Sequence, residues 1–408
     1  MNVLAYNAYY SPENASSMYL TENIYEELAK SGCNITLYVP SPCRGVTNEV
    51  RETYKKRKNE KQHNGKLSIH RISMYREGTK TISRAIRYLL LNAAFIWKGL
   101  KTDADVIFVQ STPPTQGAMA AIIKKIKKVP IVYNVQDVFP DSLITTNITQ
   151  KGSIIWKIGR VIENFSYKNA DKIIVISDSF KKNLLDKGVP DSKIMVVPNW
   201  IDCNEVVPIR REENSLFKEL GVSSESFIVV YAGNFGAAQG AMVVLEAAKY
   251  LKDSKDIHFA IFGGGSEFDK AKQFVIDNKL DNVTIDDLKP PERVSEVYSL
   301  GDIALITCKP GVGMSGMPSK TWSIMACNTP IIAAFDVDSE LSAILKEANA
   351  GICVKPGDGK LLSEEILFAK KNMGCYSKDA RSFVIANASR EKCVAKYRNS
   401  IFEACKLK

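Results

Sequence analysis

Two glycine-bearing stretches carry the most suggestive chemistry in this chain. Gly233-Asn234-Phe-Gly236-Ala-Ala-Gln239-Gly240 leaves the apolar run Phe227 to Ala232 and enters a helical pattern over Met242 to Tyr250. Glycines at such a turn let main-chain amides approach an anion, and the helix dipole reinforces them. Gly311-Val-Gly-Met-Ser315-Gly316-Met317-Pro318-Ser319-Lys320 opens a second helix, read over Thr321 to Cys327 with Pro318 near its first turn and Ser319 as its cap. Lys320 is poorly placed there for the dipole and well placed for an anion, so phosphate binding is the expected role. A third turn, Gly263-Gly264-Gly265, follows His258 to Phe262. None of these is a dinucleotide fingerprint, because the spacing differs and no acidic residue ends the next strand.

Loops of this kind need strands to hold them. In the front half, strands are read at Val3 to Tyr6, Ile35 to Val39, Asp105 to Gln110, Ile131 to Val135 and Asp171 to Ser177. Helices are read at Met18 to Ala29, Ile82 to Leu100, Ala118 to Ile126 and around Phe180 to Leu185, with residues 54–66 a polar, basic loop. From Phe227 the same alternation restarts. Runs rich in Val and Ile with little alternation fit parallel strands covered on both faces. The expected fold class is therefore α/β, with two doubly wound Rossmann-like domains facing each other across a cleft. The boundaries are an N-terminal domain over 1–200, a C-terminal domain over 201–375 and a helical tail over 376–408 that packs back on the first, with closure about residues 200–225.

Composition narrows the function. With 408 residues, 45% hydrophobic and 25% charged, the chain is an ordinary globular protein of about two domains. Nine cysteines, no Cys-x-x-Cys pair and three scattered histidines argue for a reducing compartment and against a metal site. The apolar stretch Tyr88 to Trp97 is too short for a membrane span, and the start does not read as a signal peptide. A cytoplasmic location follows as the expectation. Charge is uneven: +13 between residues 40 and 130, in a chain whose total is +10. Such a segment seeks an anionic partner, whether nucleic acid, phospholipid or phosphorylated ligand. It lacks aromatic interleaving or a nucleic-acid module, so no nucleic-acid partner is expected. The helix Ile82 to Leu100 has Ile86, Leu89, Leu90, Ala93, Phe95, Ile96 and Trp97, with Arg84, Arg87, Lys98 and Lys101 at its ends. It reads either as a core helix or as a face drawn to anionic headgroups.

The stretch Ala170 to Ser177, then Lys193 to Asp202 with Pro198-Asn199-Trp200, resembles the signature of retaining family-4 glycosyltransferases of the GT-B fold. Gly233 to Gly240 and Ile261 to Gly265 are similar to that family's glycine loops. Val283 to Leu305, with Leu288 and Arg293, is similar to its base-binding strand and helix, and Met317 to Ala326 to its donor helix. Asn199-Trp200 and the Pro-Ser-Lys form are nearest to bacterial surface-polysaccharide transferases of the fucosamine and colanic-acid type.

The resemblance implies transfer of a sugar from a nucleotide diphosphate donor, leaning to UDP and an N-acetylated deoxyhexose such as L-FucNAc. The acceptor would be a polyprenyl-diphosphate-linked saccharide in O-antigen or capsule synthesis, at the inner face of the plasma membrane. It implies no cofactor and no metal. Asp137, in Asn134-Val-Gln136-Asp137-Val-Phe-Pro140-Asp141, would face the sugar, or else cap a turn. Asp137 and Lys320 are the expected catalytic residues. Donor contacts would come from Gly233, Asn234, Gly236, Gln239, Gly240, Gly263, Gly265, Leu288, Arg293, Ser315, Gly316, Met317, Pro318, Ser319 and Ser323, and acceptor contacts from Asn14, Ser16, Ser17 and Asp141. The family's usual glutamate pair falls here on Ser315 and Ser323, and its usual Arg and Lys fall near Asn234 and Ala238 or Gln239. Lys320 and main-chain amides must then carry more of the diphosphate's charge. The serines also suit an inactive nucleotide-sugar-binding partner subunit; a nucleotide-sugar epimerase is the other alternative.

Overall fold

The structure, a computed structural model, describes residues 1–13, 18–78, 81–145, 149–313, 316–376 and 379–407. The chain divides into two compact units, residues 1–199 with 391–408 and residues 200–390.

Among the described residues, the first unit is built on an eight-stranded sheet. Its strands are β1 (Asn2–Tyr6), β2 (Asn34–Pro40), β3 (Asn59–Gln62), β4 (Leu67–Ile72), β5 (Val106–Gln110), β6 (Ile131–Val135), β7 (Lys172–Val175) and β8 (Ile194–Val196). They lie in the order β3-β4-β2-β1-β5-β6-β7-β8. All pair in parallel except β3, which runs antiparallel to β4. The central strands are unbroken apolar runs because helices cover both faces; Val3, Leu4, Ile107, Phe108 and Val132 are essentially inaccessible. The chain moves outward from β1 through β2 to β4, then returns to set β5 on the other side of β1. That reversal opens a crevice beyond the carboxyl ends of β1 and β5.

The second unit repeats the plan with β9 (Phe227–Asn234), β10 (Ile257–Gly264), β11 (Val283–Asp287), β12 (Ile303–Thr307), β13 (Ile331–Ala334) and β14 (Gly351–Val354). The order is β11-β10-β9-β12-β13-β14, all parallel, so the reversal falls between β9 and β12.

Several sequence expectations are corrected. Residues 54–66 are not a loop: a helix ends at Lys56, and Asn59–Gln62 pairs with Leu67–Ile72. His63 and Asn64 turn the chain at φ 51° and 53°, followed by Gly65 at 83°; Asn-Gly is a hairpin signal that the surrounding charge obscures. The basic segment is partly interior. Buried Arg71 donates to the Ser11 carbonyl at 2.7 Å, buried Arg87 to that of Tyr75 at 3.0 Å, and buried Arg51 to that of Met74 at 2.6 Å. These guanidiniums satisfy main-chain acceptors instead of facing an external anion.

The expected hinge over 200–225 is anchored within the second unit. Trp200 and Leu216 are buried, and Arg211 holds both oxygens of Asp302 at 3.0 and 3.1 Å. The tail expected over 376–408 divides at Arg390. The helix Ala380–Asn387 packs in the second unit, whereas most of the helix Arg390–Cys405 belongs to the first. There Tyr397 donates to Asn134 Oδ1 at 2.9 Å and Arg398 to Glu27 at 2.7 Å. The two points at which the chain passes between units lie side by side, joined by a bridge from Ile201 to Ser389 and an ion pair from Arg390 to Asp202 at 2.9 Å. Among the described residues, no helix is long and apolar enough to cross a membrane.

Candidate functional site

The carboxyl ends of β9 and β12 set the second unit's site. The helix Lys320–Ala326 begins beside them and aims Lys320 back over β9. Its Nζ donates to the Ala232 carbonyl at 2.9 Å and lies 4.5 Å from the centroid of the Tyr231 ring. Among the described residues no carboxylate pairs with it. The residue as a whole is half-buried, but its ammonium is enclosed by protein, and this desolvation lowers its pKa to about 8. A buried cation that lacks a counter-ion is suited to receive an anionic ligand.

Lys320 stands at one end of a cavity of about 250 Å³. Phe262, Leu288, Pro290, Pro291, Val294, Val297 and Tyr298 give it apolar walls, and Gly233 forms part of its rim. Lys289 also lines the cavity, but Glu219 and Asp286 hold its ammonium at 2.5 and 2.8 Å. An apolar slot with Lys320 as its uncommitted ammonium is fitted to a flat ring joined to a phosphate.

The glycine loops divide by role. A Cβ on Gly233 would lie 2.4 Å from Lys320 Nζ, so the lysine itself demands glycine there. Asn234 Nδ2 donates to Gln239 Oε1 at 3.3 Å, with Gly236 beneath this pair; a Cβ there would lie 2.7 Å from Asn234 Nδ2. Gly265, at φ +109°, closes the same group, since a Cβ would lie 2.0 Å from Asn234 Oδ1. Gly240, at φ +56°, packs against the Cys308 carbonyl, and Lys309 N donates to the Ala238 carbonyl at 2.9 Å. The loops after β9 and β12 are thereby tied together across the reversal.

Other expected contacts are committed elsewhere. Gly263 makes room for the Phe268 ring, 2.3 Å from where its Cβ would be, and is a packing position. Arg293 is held by Glu219 at 2.8 Å and Glu296 at 2.6 Å and does not line the cavity. Ser319 does not cap its helix: at φ −60° and ψ −29° it is already helical, and its hydroxyl makes no cap bond. Pro318 contributes its carbonyl to Thr321 N at 3.1 Å. Met317 packs against the core, Ser323 is buried, and Gly316 faces open space. Ser315 lies outside the described residues. The Gln239 amide turns inward to the Gly236 carbonyl at 3.2 Å. In the loop before Ser315, the amides of Gly311 and Gly313 are both taken by the carboxylate of Asp336, at 2.9 and 2.8 Å. Asp336, like Tyr231, has no motif around it that would single it out in the sequence.

In the first unit, Asp137 follows β6. Its amide and that of Gln136 donate to Ser111 Oγ at 3.1 and 3.0 Å, which fixes the turn beside β5. Partial desolvation raises its carboxyl pKa, against hydrogen bonds from Ser142 and the Val138 amide. These are contacts that a turn cap makes, and the residue as a whole is exposed. Asp141 is already occupied. Lys187 lies 2.7 Å away and Asn183 3.1 Å, and together they outweigh burial and lower its pKa. Asn14, Ser16 and Ser17 lie outside the described residues.

A cluster that the sequence did not reveal sits on loops after β1, β2 and β4. Glu77 receives Arg84 Nε at 2.8 Å, the Tyr9 hydroxyl at 3.1 Å, the Tyr88 hydroxyl at 3.2 Å and Arg44 Nε at 3.3 Å. Four separate segments supply it, so no local spacing announces it. Among the described residues no group of His, Cys, Asp or Glu is arranged to hold a metal ion.

Comparison with known proteins gives a consistent result. Residues 19–205 match the family described as Glycosyltransferase Family 4, and residues 212–389 match Glycosyl transferases group 1. The probable glycosyltransferase WbjE of Pseudomonas aeruginosa is 28% identical over 235 residues, which span 58% of this chain and 58% of that relative. The putative colanic acid biosynthesis glycosyl transferase WcaI of Escherichia coli K12 is 23% identical over 98% of this chain and 100% of its own length. Among solved structures, sucrose-phosphate synthase from Thermosynechococcus elongatus superposes with a TM-score of 0.74 over 100% of both chains at 15% identity. Anabaena HepE in complex with UDP gives 0.73 over 99% of this chain and 100% of its own, at 14% identity. These two likenesses establish the GT-B fold. With both halves matched in order, the chain belongs to glycosyltransferase family 4.

Proposed function

We propose that this chain moves a sugar, with retention at the anomeric carbon, from a nucleotide diphosphate donor to a lipid-linked saccharide during surface-polysaccharide synthesis. The observation that carries the reading is the desolvated ammonium of Lys320, without a carboxylate partner among the described residues, at the end of an apolar slot beside the β9–β12 reversal. HepE, of the same fold, is solved with UDP, which supports a UDP-linked donor. The name of WcaI supports a polysaccharide role, and the fucosamine-type resemblance an N-acetylated deoxyhexose such as L-FucNAc.

In this reading the base lies along Leu288, Pro290 and Tyr298, and the diphosphate meets Lys320. The donor's C1–O bond breaks as charge grows on the leaving diphosphate, and the ammonium stabilises that charge in place of a metal ion. The acceptor hydroxyl forms the new C1–O bond on the same face and passes its proton to the departing phosphate oxygen. The family resemblance assigns Asp137 to the sugar. A polyprenyl-diphosphate acceptor and the exposed part of the basic front segment support a position at an anionic inner-membrane surface.

Thermal shift with UDP, GDP, ADP and their sugar conjugates, on the wild type and Lys320→Ala, tests this. UDP compounds should raise the melting temperature of the wild type alone. An equal shift in Lys320→Ala with undiminished turnover overturns the reading. Ser323, a buried hydroxyl where the family usually has a carboxylate, favours a second reading as an inactive donor-binding subunit. Donor binding without turnover on any lipid acceptor would support that reading.

A further inference from the structure

We infer that the outer surface of three neighbouring helices in the first unit is a docking face for an anionic lipid bilayer. The helices are Thr81–Leu100, Gln116–Lys127 and Ile154–Asn169, packed side by side in that order. Their inner residues, among them Leu91, Phe95, Met119, Ile123 and Tyr167, share one core. Their outer residues break the usual rule that the solvent face of a helix is polar. On the first helix Ile86, Leu89, Leu90 and Trp97 are exposed. The second exposes Ile122 and Ile126, and the third exposes Ile154, Ile155, Ile158 and Val161. One exposed isoleucine needs no explanation, but ten exposed apolar side chains on three adjoining helices do.

Charge selects the occupant. The three helices hold nine Arg and Lys residues and a single acid, Glu163. Arg87 is buried, and Arg84, Lys124, Lys127 and Arg160 have carboxylate partners, which leaves Lys98, Lys125, Lys157 and Lys168 unpaired with any carboxylate among the described residues. Glu163 is buried between Arg160 and Lys187, the latter at 2.8 Å, so it offsets Arg160 and puts no negative charge on the outer face. Lys98 and Lys101 place their ammonium groups 4.9 and 4.0 Å from the centre of the Trp97 ring, at the border of the apolar stripe. Long cationic side chains beside an interfacial tryptophan fit a headgroup layer, where the stems stay apolar and the tips meet phosphate. A second copy docking through the same face would set like charges against each other. A bilayer containing anionic lipid satisfies both the apolar stripes and the lysines.

The inference rests on the lipid-linked acceptor proposed above and gives that reading a physical location. Flotation of the full chain with phosphatidylglycerol–phosphatidylcholine vesicles and with phosphatidylcholine vesicles, at low and high salt, tests it. Ile126→Glu and Ile158→Glu, both on the exposed face, are the variants. The wild type should bind only the anionic vesicles, less so in high salt, and each variant should bind roughly tenfold less with an unchanged melting temperature. Binding indifferent to phosphatidylglycerol, or variants that float like wild type, overturns the proposal. So does self-association of the wild type that both variants abolish, without flotation. A UDP thermal shift run in parallel separates the two readings: flotation as expected with no UDP shift sustains the docking face and removes the donor assignment.

Discussion

Lys320 and Gly233 contend for one volume. The ammonium of the first sits 2.4 Å from where a Cβ on the second would stand, although the two residues come from different turns of the sheet edge. Gly233→Ala therefore has to push the end of a flexible side chain off the Ala232 carbonyl. Because only that end must move, overall stability should fall by no more than about 1 kcal/mol. UDP affinity should weaken about tenfold, a loss of about 1.4 kcal/mol, by isothermal titration.

The lowered pKa of Lys320, about 8, makes the site sensitive to alkali. In the unfolded chain this amine titrates near its ordinary value of 10.5. Between about pH 8 and pH 10.5 the unfolded state thus binds more protons than the empty folded state. Stability of the ligand-free protein should rise across that window, by up to about 3 kcal/mol, through this residue alone. UDP binding should move the other way and weaken as the ammonium loses its proton. Lys320→Met should flatten both profiles in urea melts and titrations.

Asp141 is expected to act on stability and not on acceptor KM. Its carboxylate shares Lys187 with Glu163, at 2.7 and 2.8 Å. Asp141→Asn should lower stability by about 1 kcal/mol. Lys187→Met removes a charged donor from both carboxylates but leaves Glu163 its Arg160 and Tyr167 partners, and should cost about 1.5–3 kcal/mol. Because the Asp141 pKa is depressed, its contribution is complete above the ordinary carboxyl range and is lost as pH falls below it. Urea unfolding between pH 7 and pH 3 checks the sign.

Asp336 holds the Gly311 and Gly313 amides with separate oxygens. Asp336→Ala releases both amides and frees the loop that leads to Ser315 and Lys320. Donor KM should rise several-fold, whereas Asp336→Asn, which keeps one acceptor oxygen, should recover part of it; steady-state kinetics on both variants distinguishes them.

Elements whose residues are chosen by burial were readable from sequence. The helix Met242–Tyr250 and strands such as Ile131–Val135 follow directly from apolar pattern. The hairpin Asn59–Ile72 was not, because β3 is a polar edge strand whose residues answer to solvent. The helix Ile154–Asn169 also escaped, since its isoleucines face outward and blur the amphipathic period. At the site, Lys320 stood out by its oddity at a helix start. The partners that shape it, Tyr231 and Ala232, come from the middle of an ordinary strand, and only the register of β9 against the helix beginning at Lys320 unites them.

The route of the chain also sets an order of events during synthesis. Residues 200–390 form a continuous unit whose partners have all emerged before the last helix is made. The first unit must wait: buried Asn134 meets its Tyr397 hydroxyl only when the C-terminal helix leaves the ribosome. The portion translated first is accordingly the one completed last.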